Sequence, residues 1–355
     1  MQGTIAVILV LGALIFFHEL GHFIVARLLG VGVKAFSLGF GPKLVGFRRG
    51  QTDYKLSLIP LGGYVSLLGE GGDEEDLPEG FTREESFALR PPLHRMMVVA
   101  AGPIFNFVLA WFILWGLFFV EGKMDLKPVV GTVQESSAAQ IAGLQPGDFI
   151  TAIDGEPVIF WKEMTTLIQE SEGRTLLFTV DRDSQQIDIQ ITPRLAENTN
   201  LFGETITTPM VGIGSRGDVV TQPMSFGEAM TEGGMQTLNY IKVTLQALIK
   251  IVERAIPLDT VGGPIMIAQL VSDGAEQGLT SVLFLTAIIS VNLGLINLFP
   301  IPVLDGGHIL FCGLEMIFRR PVSEKWQIIT TRLGIMFLVM LMGLAIFNDL
   351  YRLFS

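Results

Sequence analysis

Residues Thr4–Ala26, TIAVILVLGALIFFHELGHFIVA, decide how the rest of the chain is read. An apolar run of about 23 residues is roughly 34 Å long as a helix, enough to cross a bilayer. Within it stands His18-Glu19-Leu20-Gly21-His22. Ionisable groups at that depth are costly unless paired or ligated, so they ask for a function. Positions i and i+4 share a helix face, which lets His18 and His22 reach one metal ion with Glu19 beside them as a general base. Zinc lowers the pKa of bound water to about 7, which suits hydrolysis near neutrality. The same pattern arises by chance in soluble helices. Here, however, the chain has four histidines, and two of them fall at ligand spacing inside a membrane-length run. A cleaved signal peptide fits less well, because its apolar core is about 7–15 residues and ends in small residues.

Composition points the same way. Of 355 residues, 49% are hydrophobic and 17% charged, where soluble chains carry about 25% charged. A polytopic membrane protein follows. The formal net charge of −11, with no dominant basic patch, excludes nucleic acid as a partner. Cys312 is the single cysteine, so the fold must hold without an intramolecular disulfide.

Working outward, the chain divides into four parts. Residues 1–125 form an N-terminal membrane region. Its first transmembrane helix spans about 4–26, glycine-punctuated runs over about 33–68 read as membrane-associated β-hairpins, and a second transmembrane helix spans about 96–120. Between them, Glu70 to Glu85 reads as an acidic, solvated loop. Trp111 and Trp115 suit an interface, and Asn106 is expected to pack against another helix. Residues 126–216 lose the membrane character. Strand-like runs at Pro128–Val133, Asp148–Ile153, Thr175–Val180 and Gln186–Thr192, with a short helix over Trp161–Gln169, make one inserted α+β domain. Residues 217–275 hold an amphipathic helix with an apolar stripe from Leu238 to Ile256, expected to lie on the bilayer surface, and then a Gly262-Gly263-Pro264 break. Residues 276–355 carry a third helix (about 279–299), the Leu304-Asp305-Gly306 segment after Pro300 and Pro302, and a fourth helix (about 328–347).

Two histidines need a third ligand. Asp305 and His308 both lie in the Pro-broken segment, and spacing alone favours Asp305 only slightly. Capping the following helix is the alternative role for Asp305. Lys and Arg in the segments 27–95 and 319–325 put those loops in the cytoplasm. Both termini and the inserted domain then face outside, and the candidate site lies near the cytoplasmic side.

Taken together, HELGH, Asn292-Leu-Gly-Leu-Ile-Asn297-Leu-Phe-Pro-Ile-Pro-Val-Leu-Asp305-Gly306 and the insertion between them resemble the site-2 protease family, in its bacterial RseP-type branch. The insertion itself, over Ser136–Ile150 and Asp154-Gly155, resembles a single PDZ domain where that branch has two. The resemblance implies a bacterial inner-membrane zinc metalloendopeptidase. His18, His22 and Asp305 would bind Zn2+, Glu19 would be catalytic, and Asn292 and Asn297 would hold the substrate backbone. The substrate would be a single-pass transmembrane protein, such as an anti-sigma factor or a remnant signal peptide. The hairpins would resemble a membrane-inserted sheet that pairs with an extended substrate. The PDZ-like domain would either take a peptide or protein ligand or restrict access. Two other classes compete: a non-catalytic PDZ-bearing scaffold in the lipid bilayer, which would bind no metal, and a metal transporter, which would need further intramembrane ligands along a path.

Overall fold

A computed structural model of the chain describes residues 2–70, 77–200, 202–257, 260 and 262–354, with the side chains of 60 and 61 excepted. The middle of the expected acidic loop, 71–76, lies outside the described residues. The chain begins with α1 (Gln2–Leu28), β1 (Val33–Arg49), β2 (Thr52–Leu67), a 3₁₀ turn (Arg83–Glu85) and α2 (Pro92–Glu121). Next come β3 (Lys123–Leu126), β4 (Val130–Val133), α3 (Ala138–Ala142), β5 (Phe149–Ile153), β6 (Glu156–Pro157) and α4 (Trp161–Glu170). The strands β7 (Leu176–Arg182), β8 (Gln185–Ile191), β9 (Arg194–Thr199), β10 (Thr205–Met210), β11 (Ile213–Ser215) and β12 (Val219–Gln222) follow. The chain ends with α5 (Phe226–Val252), α6 (Pro264–Gln277), α7 (Leu279–Asn297), α8 (Asp305–Phe318) and α9 (Glu324–Phe354). Among the described residues, four helices, α1, α2, α7 and α9, are long and apolar enough to cross a membrane. Two compact units result: Met1–Leu117 with Met230–Gln246 and Pro257–Ser355, and Phe118–Ala229 with Ala247–Ile256.

In the first unit, small residues set the helix spacing. A Cβ at Gly21 would collide with the Ala101 carbonyl, and one at Gly294 would come within 2.9 Å of the Pro103 carbonyl. Both α1 and α7 therefore approach α2 at backbone distance, the packing that small residues allow where lipid offers no hydrophobic drive. Strands β1 and β2 are longer than hairpin arms need be, and both bend. Ala35 pairs with Ser66 and also with Asp53, while Phe47 pairs with Tyr54. The result is a four-segment antiparallel sheet in the order 43–49, 52–57, 33–38, 63–67. Its bend falls at Gly39, whose φ of +88° suits glycine and whose missing Cβ would sit 2.7 Å from the Ile59 carbonyl. Phe40, Leu44, Val45, Phe47, Leu56 and Leu58 are exposed on this sheet. Its outer segment, 63–67, lies against α1, where a Cβ at Gly63 would come within 2.8 Å of Ile15 and 3.2 Å of Glu19.

The helix expected to lie on the bilayer surface behaves differently. Within the first unit, the apolar residues Leu238 and Leu245 of α5 face outward, and the opposite face docks. Trp111 Nε1 donates to the Met230 carbonyl at 3.0 Å, Gly233 abuts Trp115, and Thr244 Oγ1 donates to Asn292 Oδ1 at 2.8 Å. The apolar side of this amphipathic helix is thus the one left for lipid, as a helix lying against a bilayer presents it. In a lipid setting the small and polar side makes the protein contacts. After the glycine break comes α6, an element not foreseen as a helix. Its N-terminus is capped from a distance: Gly263 N donates to Asp349 Oδ1, and the Ile265 and Met266 amides donate to Oδ2 (2.9, 3.0 and 3.2 Å).

The second unit has the opposite pattern. Strands β6-β5-β7-β8 form an antiparallel sheet, β4 pairs with β11, and β3 pairs with β12. Ile150, Met164, Leu176, Phe178, Val180 and Ile191 fill a sealed core between the sheets, α3 and α4. The β7–β8 turn places Asp183 and Ser184 at positive φ, as a two-residue hairpin turn requires. Asp148 ties the start of β5 to the end of β7: Arg182 Nε donates to Oδ1 and Nη2 to Oδ2, both at 2.7 Å, and the Gln145 amide donates to Oδ2 at 2.8 Å.

Candidate active site

Four elements of the first unit build the site. Helix α1 supplies His18, Glu19 and His22, and α8 supplies Asp305 in its first turn. The chain between α7 and α8 cannot continue as helix through Pro300 and Pro302. It turns back so tightly that a Cβ at Gly306 would collide with the Phe299 and Leu298 carbonyls, and one at Gly307 would meet Ile301 O at 2.6 Å. Just before Asp305, Val303 adopts φ +118°, a conformation that β-branched residues avoid. Backbone strain is thus stored beside the residue that the turn delivers.

The donor atoms converge. His18 Nε2 lies 3.2 Å from His22 Nε2 and 3.2 Å from Asp305 Oδ2, and His22 Nε2 lies 3.6 Å from Asp305 Oδ2. Ligands on a tetrahedral zinc with bonds of about 2.0–2.1 Å are about 3.3 Å apart, so the triangle is the right size for one such ion. Asp305 Oδ2 is buried and has no hydrogen-bond partner among the described residues, and no side chain caps α8. The alternative role of Asp305 as a helix cap is therefore not what the geometry shows. His308 lies one turn further on and lines the same cavity, but the metal-competent cluster comprises His18, His22 and Asp305.

Helix α2 contributes a face that the sequence reading missed. Residues 98, 102 and 106 are spaced i, i+4, i+8 and run antiparallel to His22 and His18. His22 Nδ1 lies 2.9 Å from the Val98 carbonyl, to which it donates, leaving Nε2 free to ligate. A Cβ at Gly102 would collide with the His22 ring and approach His18 Cε1 at 2.9 Å. Asn106 Nδ2 lies 3.2 Å from His18 Nδ1. The available signal was Gly102-Pro103-Ile-Phe-Asn106, a small and a polar residue one turn apart in an apolar helix.

A cavity of about 530 Å³ opens beside these groups. Glu19, Tyr64, Val65, Arg95, His308 and Gln327 are among its lining residues. Arg95 Nη2 pairs with Glu315 Oε2 at 2.6 Å. Asn292 and Asn297 are not among its walls: Asn292 faces α5 through Thr244, and Asn297 is the last residue of α7.

Residues 6–341 match Peptidase family M50. A relative from Agrobacterium fabrum, named provisionally as a zinc metalloprotease, is 38% identical over 358 residues, covering 98% of this chain and 95% of its own. The regulator of sigma-W protease RasP from Bacillus subtilis is 28% identical over 425 residues, covering 99% of each. Among solved structures, the PDZ domain of an SdrC-like protein from Listeria monocytogenes matches 24% of this chain and 84% of its own length, at 24% identity and a TM-score of 0.20. With its family match running from α1 into α9, this multi-pass membrane chain belongs to peptidase family M50, the site-2 proteases.

Proposed function

We propose that the protein is a zinc metalloendopeptidase that cleaves single-pass membrane proteins within or near their transmembrane segment. The observation that carries this is the donor triangle of His18, His22 and Asp305 with Glu19 on the same cavity wall. Those three residues would hold the zinc, which when bound polarises a carbonyl and acidifies water. Glu19 takes a proton from the attacking water and returns it to the leaving amine.

A transmembrane substrate hides its scissile carbonyl in intrahelical hydrogen bonds and must unwind first. Unpaired backbone groups in hydrocarbon cost several kcal/mol each, so the site must replace those bonds. The 63–67 segment is an outer strand of its sheet, and Tyr64, Val65 and Leu67 line the cavity. It supports pairing with an extended substrate strand. The backbone-holding role expected of Asn292 and Asn297 on α7 would require them to turn towards the cavity, whose described walls they do not form. In the α+β unit, a cleft of about 200 Å³ between α4 and β10–β11, lined by Trp161, Met164, Ile168, Met210 and Ile213, supports a peptide ligand. The distribution of Lys and Arg supports an inner-membrane protein with both termini and the α+β unit outside and the zinc site near the cytoplasm.

The deciding experiment compares wild-type protein with Glu19→Gln in a membrane-substrate cleavage assay. Turnover is expected to fall by at least about 10²–10⁴-fold while zinc content stays at the wild-type level. Retained turnover refutes the assignment. Asp305→Asn should lower zinc content, and unchanged content would make His308 the better third ligand.

A further inference from the structure

Resting on that reading of His18 as a ligand, we infer that Asn106 is a positioning residue. Its side-chain oxygen holds the His18 proton on Nδ1 and so frees Nε2 for zinc. A neutral imidazole has one N–H and one lone pair, so ligation through Nε2 places the proton on Nδ1, where a buried N–H needs an acceptor. The group facing His18 Nδ1 is the Asn106 carboxamide. In the orientation described, Nδ2 points at the ring, and Oδ1 is buried without a partner among the described residues.

The two ends of a carboxamide have nearly the same shape. Turning the amide over, by rotation about its last torsion alone, brings Oδ1 onto Nδ1–H. The orientation described matches a proton on Nε2, and the reversed one matches a proton on Nδ1, so amide and ring must change together. The rest of Asn106 is fixed. It is 0% exposed, its backbone carbonyl accepts from Ser290 Oγ at 2.7 Å, and Gly294 packs against its Cβ. Because Ser290 uses the backbone oxygen, helix packing leaves the side chain available to His18. His22 differs in having a carbonyl acceptor, Val98 O, that works in one sense only. One ligand thus has a permanent acceptor and the other a reversible one.

The test measures zinc affinity of the full-length protein in detergent by competition with a chelator, for wild type, Asn106→Leu and Asn106→Asp. The leucine variant keeps the size and loses the acceptor, and it is expected to bind zinc about 10–100-fold more weakly. The aspartate variant keeps an oxygen in place and should stay within about threefold of wild type. Wild-type affinity in Asn106→Leu, or equal losses in both variants, overturns the inference. If wild type itself binds no zinc, the metal-site reading falls with it. Should Asn106→Leu fail to fold, imidazole ¹⁵N resonances of zinc-loaded wild-type protein decide the matter. A His18 proton on Nδ1 is expected, and one on Nε2 overturns the assignment.

Discussion

In the unit that carries β3–β12, Phe178, Ile150 and Met164 are sealed away, and the described charged residues other than Asp148 stay at least partly exposed. In the unit that carries α1, α2 and α6–α9, the large apolar side chains Phe112, Ile317, Leu333 and Met336 are exposed, while Asn106, Ser290, Thr286 and Asp349 are buried. The same twenty residue types are sorted by two different solvents. Water drives apolar groups inward in the first case. Lipid removes that drive in the second and leaves close packing and polar satisfaction to hold the helices together. The three ionisable side chains proposed to hold zinc belong to the second regime, where polar groups are already the interior.

The largest expected effect tests that interior directly. Gly102→Ala adds one methyl group where the two imidazole rings lie. Alanine is the better helix former by about 0.5–1 kcal/mol, so the helix itself should not suffer. The rings must move, and a misplacement of about 1 Å can cost about 10²-fold in rate. Zinc content and proteolysis should both fall, with the metal-free protein unfolding no earlier than wild type. A Gly102→Ala protein with full zinc occupancy would show that the rings have another seat.

Next comes a matched pair of truncations. Phe178→Ala removes a ring that is 0% exposed and should cost about 3–5 kcal/mol. Phe347→Ala on α9 removes one that is 64% exposed, and it should cost less than about 1 kcal/mol in a bilayer. Hydrogen exchange across each unit of the full chain reports both. Equal losses would erase the contrast between the two regions.

Legibility followed the same division. The four long helices, the shared face of His18 and His22 and the β7–β8 pair are readable because each rests on a local pattern: an apolar run, an i/i+4 pair, a turn between alternating strands. What escaped depends on partners distant in sequence. Residues Lys123–Leu126 and Val219–Gln222 are strands because they pair with each other. Their sequences, KMDL and VVTQ, lack a clear alternation. The docked face of α5 escaped as well, because apolar periodicity marks the outward stripe and does not name the helices that the other face meets. Asn106 reads as a packing residue because nothing in α2 alone announces that His18 lies opposite.

A smaller effect is expected at Asp349, which is 3% exposed and accepts three backbone amides from the start of α6. Asp349→Ala leaves those amides without their acceptor, at about 2–3 kcal/mol on the scale for hydrogen bonds to charged groups. The amides of Gly263, Ile265 and Met266 should exchange about 30–140-fold faster in a bilayer, since each 1.4 kcal/mol is about tenfold. Asp349→Asn, which keeps one acceptor oxygen, should lie between. Unchanged exchange in the alanine variant would mean that α6 holds its own first turn.

The smallest effect belongs to the water-facing unit and depends on pH. Burial pushes the Asp148 carboxyl up, but the paired hydrogen bonds from Arg182, the Gln145 amide and the guanidinium charge outweigh it. The group therefore titrates below the usual carboxylate range. A carboxyl that is more acidic folded than unfolded contributes stability that is fully present above its unfolded pKa of about 3.9 and is lost as pH falls through the folded value. Protection of the β7–β8 amides should therefore hold from neutral pH to about pH 4–5 and decline below it. Asp148→Asn should lower protection at neutral pH by about 1–2 kcal/mol and flatten the acid limb, because the charge that Arg182 is built to meet is gone. An unaltered acid limb in the variant would assign the decline to the carboxylates Asp154 and Asp218, which also titrate low, the first through the Leu177 amide and Arg174 and the second through Arg216.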